Sequence, residues 1–166
     1  MNYTTNAVPP PSDQKILRFQ KNYRVTLPED YIKFLQKNNG GAAIYRCFST
    51  KNNTKVIHRF FAMMDDPNSD RFMGQYDVGV TWSQVFDRMA EDPDQIGTKL
   101  VPVVALEFGD MVCLDFREKP NAPEVVVWDH EQSKELKPVT EKIADSFTEF
   151  LGKLKPLEPY ERPVAA

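Results

Sequence analysis

The segment from Leu100 to Trp128 constrains the fold most, because it alternates short apolar runs with turn residues. The runs cover residues 100–107, 111–116 and 124–128. Gly109-Asp110 separates the first two runs, and a glycine followed by a polar residue predicts a two-residue hairpin turn with the glycine at positive φ. Adjacent strands joined by such short connections predict an antiparallel meander.

Helical patterns flank this meander on both sides. Ser12 predicts the N-cap of a first helix that buries Ile16 and Phe19. Thr26 and Glu29 have the spacing of a capping box for a second helix, which Asn39-Gly40-Gly41 is expected to end. The apolar positions of the second helix are Leu27, Tyr31, Phe34 and Leu35, and those of an amphipathic C-terminal helix are Ile143, Phe147, Phe150, Leu151 and Leu154.

Weaker patterns complete the order of elements. Residues 43–49 and 56–63 are expected to be strands, and residues 65–79 a loop. Thr81 or Ser83 is expected to cap a short helix that carries Val85, Phe86 and Met89. This order predicts an α+β fold, with N-terminal and C-terminal helices packed on an antiparallel sheet.

The length of 166 residues leaves room for a single domain. Prolines cluster in residues 1–11 and 156–166, so both ends are expected to be extended or loose, and residues 12–155 are expected to be the folded unit. A hydrophobic content of 41% supplies an ordinary core, which excludes wholesale disorder.

Charge is distributed unevenly, although the net charge is only −3. Residues 1–60 hold ten Lys and Arg against three Asp and Glu, whereas residues 61–130 hold five against fourteen. The small net charge argues against direct nucleic-acid binding. The acidic middle segment either serves solubility or presents a negative face to a basic protein.

The sequence also bears on compartment. Its start has neither the basic nor the apolar region of a signal peptide. The longest aliphatic run, residues 100–106, is far shorter than the ~20 residues of a membrane span. The two cysteines, Cys47 and Cys113, have no metal or redox spacing and are expected to be buried thiols. We therefore expect a cytoplasmic protein with no membrane contact.

No motif indicates catalysis or cofactor binding. The chain has two histidines, His58 and His130, and no G-x-S-x-G elbow. Its acidic runs lack the order of known zinc or calcium sites, and its glycines form no phosphate-binding loop. We expect no enzymatic activity, no cofactor and no metal.

Taken in order, several blocks of the chain resemble the SUKH superfamily, which includes fungal cell-wall-assembly regulators and many bacterial immunity proteins. The blocks are residues 27–35 with 39–41, then 102–104, 109–110, 113–115, 126–130 and 144–151. The resemblance implies an α+β domain that, in bacteria, commonly binds and blocks a toxin delivered between competing cells, frequently a nuclease or deaminase.

This resemblance makes a cognate protein toxin domain the expected partner. A toxin that acts on nucleic acid has a basic active face, which acidic residues can cover. The candidates for this contact are Asp65, Asp66, Asp70, Asp92, Asp94 and Glu118.

Two other functions are considered. The first is an intracellular regulatory scaffold like the fungal relatives, although those tend to carry long disordered extensions and this chain has short ends. The second is a hydrolase that uses Asp129 and His130 with a metal.

Overall fold

The computed structural model describes residues 1–92 and 99–158, and an antiparallel sheet of eight strands forms its centre. The strands are β1 (Thr4–Thr5), β2 (Gly41–Ala43), β3 (Cys47–Ser49), β4 (Thr54–Phe60), β5 (Leu100–Leu106), β6 (Met111–Asp115), β7 (Glu124–Trp128) and β8 (Thr140–Ala144). The helices are α1 (Asp13–Tyr23), α2 (Glu29–Lys37), α3 (Arg71–Gly74), α4 (Val78–Met89) and α5 (Phe147–Gly152). The α+β class is confirmed.

The strands follow the order β1-β2-β4-β5-β6-β7-β8, and β3 pairs with β4 beside β2. Every pair of strands is antiparallel. The predicted meander is confirmed as β5, β6 and β7, and β8 extends it by one strand that was not predicted.

Both faces of the sheet are covered. The larger core contains alternate residues of β6 and β7, namely Val112, Leu114, Val125 and Val127, whereas Cys113, Val126 and Trp128 belong to a smaller core. Because neighbouring side chains of a strand point to opposite faces, the two cores lie on opposite sides of the sheet. The predicted packing of N-terminal and C-terminal helices is confirmed, since α1, α2 and α5 contribute to the larger core, and α4 covers the smaller core with Val85 and Met89.

Two helix starts differ from the prediction. Helix α2 begins at Glu29 without a side-chain cap, so the predicted capping box at Thr26 is wrong. The reason is Pro28, because the residue before a proline is kept out of the helical conformation. Helix α4 begins at Val78 and is capped by Asp77 rather than by Thr81 or Ser83. Within the expected loop 65–79, α3 forms a further short helix.

The predicted C-terminal helix starts too early in the sequence. Ile143 belongs to β8, and α5 begins only at Phe147, with Ser146 as its N-cap. The side-chain oxygen of Ser146 accepts a hydrogen bond from the Glu149 backbone, which sets the start of α5. Phe147 and Phe150 are nonetheless buried, as the helical pattern predicts.

Four residues, 107–110, connect β5 to β6 in place of the predicted two-residue turn, and the first three of them form a 3-10 turn. Both Phe108 and Gly109 have positive φ, of 72° and 101°. The expectation of a glycine at positive φ is confirmed, but an exposed phenylalanine shares this conformation.

The N-terminal segment, expected to be loose, is attached to the sheet. Strand β1 pairs with β2, and the backbone N–H of Val8 donates to the carbonyl of Asn39. Proline removes some donors, but the backbone groups of Tyr3, Thr4 and Val8 find partners in the domain. No helix in the described ranges is long and apolar enough to cross a membrane.

Candidate functional site

A pocket of about 300 Å³ lies between the N-terminal segment and the loop that follows β4. One wall consists of Val8, Pro9 and Pro10, and the other of Met64, Asp65, Asp66 and Ser69. Met64 packs in an apolar cluster with Ala62 and Met73, against which Val8 also lies. The pocket therefore combines an apolar interior with carboxylates at its rim.

Asn39 joins the two walls of this pocket. Its Nδ2 donates to the carbonyl of Pro9 at 2.8 Å and to the carbonyl of Met63 at 2.9 Å, while its Oδ1 accepts from the Met63 N–H at 2.8 Å. The side chain is buried, with 1% exposure, so the two bonds to Met63 are shielded from water, whereas the bond to Pro9 is partly buried. One amide thus uses donors and acceptor together to hold Pro9 beside the segment that leads to Asp65.

The two glycines after Asn39 allow the chain to approach both neighbours closely. A Cβ on Gly40 would lie 2.8 Å from the Cβ of Ala62, and a Cβ on Gly41 would lie 2.2 Å from the carbonyl oxygen of Thr5. Both glycines also have positive φ. Helix α2 already ends at Lys37, so the expected helix stop Asn39-Gly40-Gly41 mainly positions the pocket walls.

Two of the predicted acidic residues line this pocket. Asp65 is exposed, and its Oδ1 accepts a hydrogen bond of 2.9 Å from the Ser12 backbone. That bond is the main cause of a lowered pKa of the Asp65 carboxyl, and the nearby cations Lys15 and Arg18 lower the pKa further. Asp66 is also exposed and caps the short turn Pro67–Ser69. The rim of the pocket therefore carries exposed carboxylate oxygens.

Asp70 lies on the same loop but does not line the pocket. Its Oδ1 accepts from the backbone of Phe72 and Met73 at 3.0 Å and so caps α3. The carboxylate remains exposed, which leaves its second oxygen to add negative charge beside the pocket.

The other predicted acidic residues lie elsewhere. Asp77, at the start of α4, accepts from the backbone of Met64, whereas Glu91, just past the end of α4, pairs with Arg117. The 12 residues of α4 rise ~18 Å. Asp92 and Glu118, which are neighbours of Glu91 and Arg117 in sequence, are therefore separated from Asp65, Asp66 and Asp70 by the length of α4, and Asp94 lies outside the described residues.

Glu118 lines a second cleft, of about 310 Å³, whose charges are largely paired with one another. Arg117 bonds Glu91 at 2.8 Å and Asp115 at 2.9 Å, and Glu124 lies 3.0 Å from Lys119. The hydrogen bond with Asp115 is the main cause of a raised pKa of the Arg117 guanidinium. Carboxylates already bound to internal cations attract a basic partner less than unpaired ones do.

The residues considered for nucleophilic or metal chemistry do not converge. Cys47 and Cys113 are both buried, as predicted, and burial raises the pKa of the Cys113 thiol. The His130 ring contacts Asp110 at 2.7 Å, while Asp129 accepts from the backbone of a following turn. Across residues 1–92 and 99–158 no group of three or more His, Cys, Asp or Glu is placed to hold a metal ion.

The sequence predicts the acidic wall of the pocket but not its apolar wall. The sequence pattern predicts a loose end for Val8 and Pro9 and a helix stop for Asn39. In the structure Val8 and Pro9 form the apolar wall, and Asn39 holds it in place. The sequence signal for the apolar wall is Asn39 directly before two glycines. The amide can form hydrogen bonds with neighbouring backbone, and the glycines allow that backbone to come close.

Comparison with known families supports the resemblance. A SUKH family model, described as SMI1-KNR4 cell-wall, matches residues 13–151, which span α1 to α5. Comparison with curated proteins found no match. Since the family match covers most of the chain and the α+β fold agrees with it, the chain belongs to the SUKH superfamily, in its SMI1-KNR4 cell-wall family.

Proposed function

We propose that this protein is an immunity protein, which binds and neutralises a protein toxin in the bacterium that makes both. Family membership supports this role, because the superfamily includes bacterial immunity proteins. The observation that carries the proposal is the pocket between Val8–Pro10 and Met64–Ser69, an apolar cavity with the exposed carboxylates of Asp65 and Asp66 at its rim.

A lysine or arginine side chain of the toxin fits this pocket best. The apolar stem of such a side chain packs against Val8, Pro9 and Met64, while its charged end reaches Asp65 and Asp66. A volume of about 300 Å³ is at the small end for ligand pockets, so it suits one inserted side chain better than a large ligand.

A basic side chain in the pocket also suggests which class of toxin is bound. An enzyme that acts on nucleic acid needs exposed cations on its active face, and an inhibitor gains by covering them with carboxylates. We place Asp65, Asp66 and Asp70 in this contact, because they share one loop. Asp92 and Glu118 are left out of it, because they lie beyond the far end of α4.

Co-expression tests the proposal. The probe is the C-terminal domain of a large secreted protein encoded beside the gene for this chain. We expect that domain to arrest growth and this protein to restore it. The Asp65→Asn/Asp66→Asn variant should restore growth less well, because asparagine keeps the side-chain acceptor and removes the charge. Equal rescue by the variant and the wild type would count against the pocket, and no rescue at all would count against immunity.

The family description favours a second candidate, a regulatory scaffold that binds cell-wall-synthesis factors. Such a scaffold would use the same pocket for a basic segment of a different protein. Growth rescue separates the two, since a scaffold has no reason to protect a cell from the neighbouring toxin domain.

A further inference from the structure

An irregularity in β4 places two consecutive side chains on one side of the sheet. The pairing of β4 with β5 shifts register between Ile57 and Arg59. In a regular strand, neighbouring side chains point to opposite faces, and a bulge changes that direction. His58 Nε2 lies 3.3 Å from the Tyr76 hydroxyl, and the Arg59 Cζ lies 5.0 Å from the centre of the Tyr76 ring. An imidazole and a guanidinium therefore meet around one tyrosine.

Two aromatic rings hold the Arg59 guanidinium. Its Cζ lies 5.2 Å from the ring centre of Phe72, in addition to its contact with Tyr76. The two rings lie 5.8 Å apart and are inclined at 65° to each other. Cation–π attraction to both rings restricts the side chain, so less entropy is lost when a ligand binds to it.

Within the described part of the chain, Arg59 forms no ion pair, in contrast to Arg46 and Arg117, which both bond carboxylates. Its Nη2 bonds the sulfur of Met73 at 3.5 Å, and its buried Nε has no described hydrogen-bond partner. A guanidinium offers five N–H donors, and sulfur is a weak acceptor. A half-buried cation with so few acceptors gains strongly from an added anion.

The surroundings of Arg59 leave room for such an anion. Its direct cross-strand neighbours are Ala42 and Ala105, whose side chains are too short to cover a guanidinium. His58 is exposed, and Phe72 is 56% exposed. A ligand can therefore approach the group between the bulge and α3.

We propose that Arg59, His58 and the rings of Phe72 and Tyr76 form a binding site for a carboxylate of a partner polypeptide, either an acidic side chain or a C-terminus. The planar guanidinium fork matches the two oxygens of a carboxylate. A single arginine balances the one charge of a carboxylate, whereas a phosphate dianion needs further cations. This site shares no residue with the lining of the acidic-rimmed pocket, although Met73, which contacts Arg59, packs in one cluster with Met64 of that pocket. It does not depend on the proposed function.

Nuclear magnetic resonance titration of the whole chain tests the site. N-acetyl-glutamate α-amide serves as the side-chain probe and N-acetyl-alanine as the C-terminal probe. Inorganic phosphate and N-acetyl-glutamine α-amide are the comparison ligands. We expect saturable shifts of the Arg59 side-chain, His58 and Tyr76 signals with at least one carboxylate probe, and none with the glutamine probe. The probe that binds more tightly identifies the source of the carboxylate.

Variants of Arg59 test whether its guanidinium binds the carboxylate probes. Arg59→Gln should weaken binding by about tenfold or more, because a charge-assisted hydrogen bond is lost. Arg59→Lys keeps the charge without the fork and should have an intermediate effect, and it decides the matter if Arg59→Gln does not fold. Arg18→Gln, an exposed arginine of α1, is the control and should bind like the wild type. Unsaturable shifts, unchanged binding by the Arg59 variants, or tighter binding of phosphate than of both carboxylates would overturn the proposal.

Discussion

The side-chain amide of Asn39 is hydrogen-bonded at both ends to the backbone of Met63, with Nδ2 2.9 Å from the carbonyl oxygen and Oδ1 2.8 Å from the amide nitrogen. The Asn39 side chain thus takes the place of a neighbouring strand, because it supplies the hydrogen-bond partners for both backbone groups of Met63. The same Nδ2 also donates to Pro9. Asn39 therefore couples the stability of the fold to the shape of the pocket.

Replacing Asn39 should destabilise the fold. Asn39→Ala leaves the N–H and C=O of Met63 and the C=O of Pro9 without their partner, so we expect the free energy of unfolding to fall by about 3 kcal/mol. Urea denaturation measures this change. Asn22→Ala, at an exposed position of α1, is the control and should cost little. A similar stability for both variants would show that the Asn39 bonds contribute little.

Two glycine substitutions should differ sharply. Gly41→Ala places a Cβ 2.2 Å from the Thr5 carbonyl oxygen, at a positive φ of 101°, so we expect it to separate β1 from β2 and to destabilise the protein by at least about 2 kcal/mol. Gly152→Ala, with no atom within 4 Å of the new Cβ, should be neutral or slightly stabilising. Thermal denaturation compares them, and equal melting temperatures would contradict the close approach of β1.

The tip of the β5–β6 hairpin carries a strained residue. Phe108 has a φ of 72° and is 58% exposed, so little packing offsets its left-handed conformation. Phe108→Asn should raise the free energy of unfolding by about 0.5 to 1 kcal/mol, since asparagine tolerates this region, and Phe108→Val should lower it. The order Asn, Phe, Val in chemical denaturation checks the conformation, and the reverse order would refute it.

Asp110 should make stability depend on acid pH. Burial alone would raise the pKa of its carboxyl, but hydrogen bonds from the side chain and backbone of His130 and from Lys55 outweigh burial and hold the pKa below its ordinary 3.8. A lower pKa in the folded state means that the ionised carboxyl stabilises the fold. This contribution is complete above the unfolded pKa and is lost as the pH falls through the folded pKa.

Unfolding measured from pH 7 to pH 2.5 for the wild type and Asp110→Asn checks this. The stability advantage of the wild type should shrink below about pH 4. Glu118→Gln, an exposed position, is the control. An advantage for the wild type over Asp110→Asn that stays constant down to the lowest pH would contradict the hydrogen-bonded carboxylate.

The parts of the fold with strong local signals could be predicted from the sequence. Helix α1 begins after Ser12, and β5 to β7 lie where the apolar runs and turn residues indicate. Strand β8 could not, because Ile143 and Phe147 have a helical spacing by themselves. Only pairing with β7 makes 140–144 a strand, and that contact is not local.

The pocket could be predicted only in part. Asp65 and Asp66 stand out as acids in a loop, but Val8 and Pro9 become a wall only because Asn39 reaches them across the fold. A proline cluster signals the lack of regular structure, and it does not signal the lack of contacts. The separation of Glu118 from the other acids depends likewise on the path of α4.

The most direct test of the proposed pocket is calorimetric titration of the purified protein, at low and physiological salt, with the domain that co-expression identifies as the toxin. We expect Asp65→Asn/Asp66→Asn to weaken binding by about tenfold at low salt and less at higher salt, because salt screens exposed charges. Glu118→Gln should bind like the wild type. Unchanged affinity of the double variant, or a loss confined to Glu118→Gln, would contradict binding through the Asp65–Asp66 pocket.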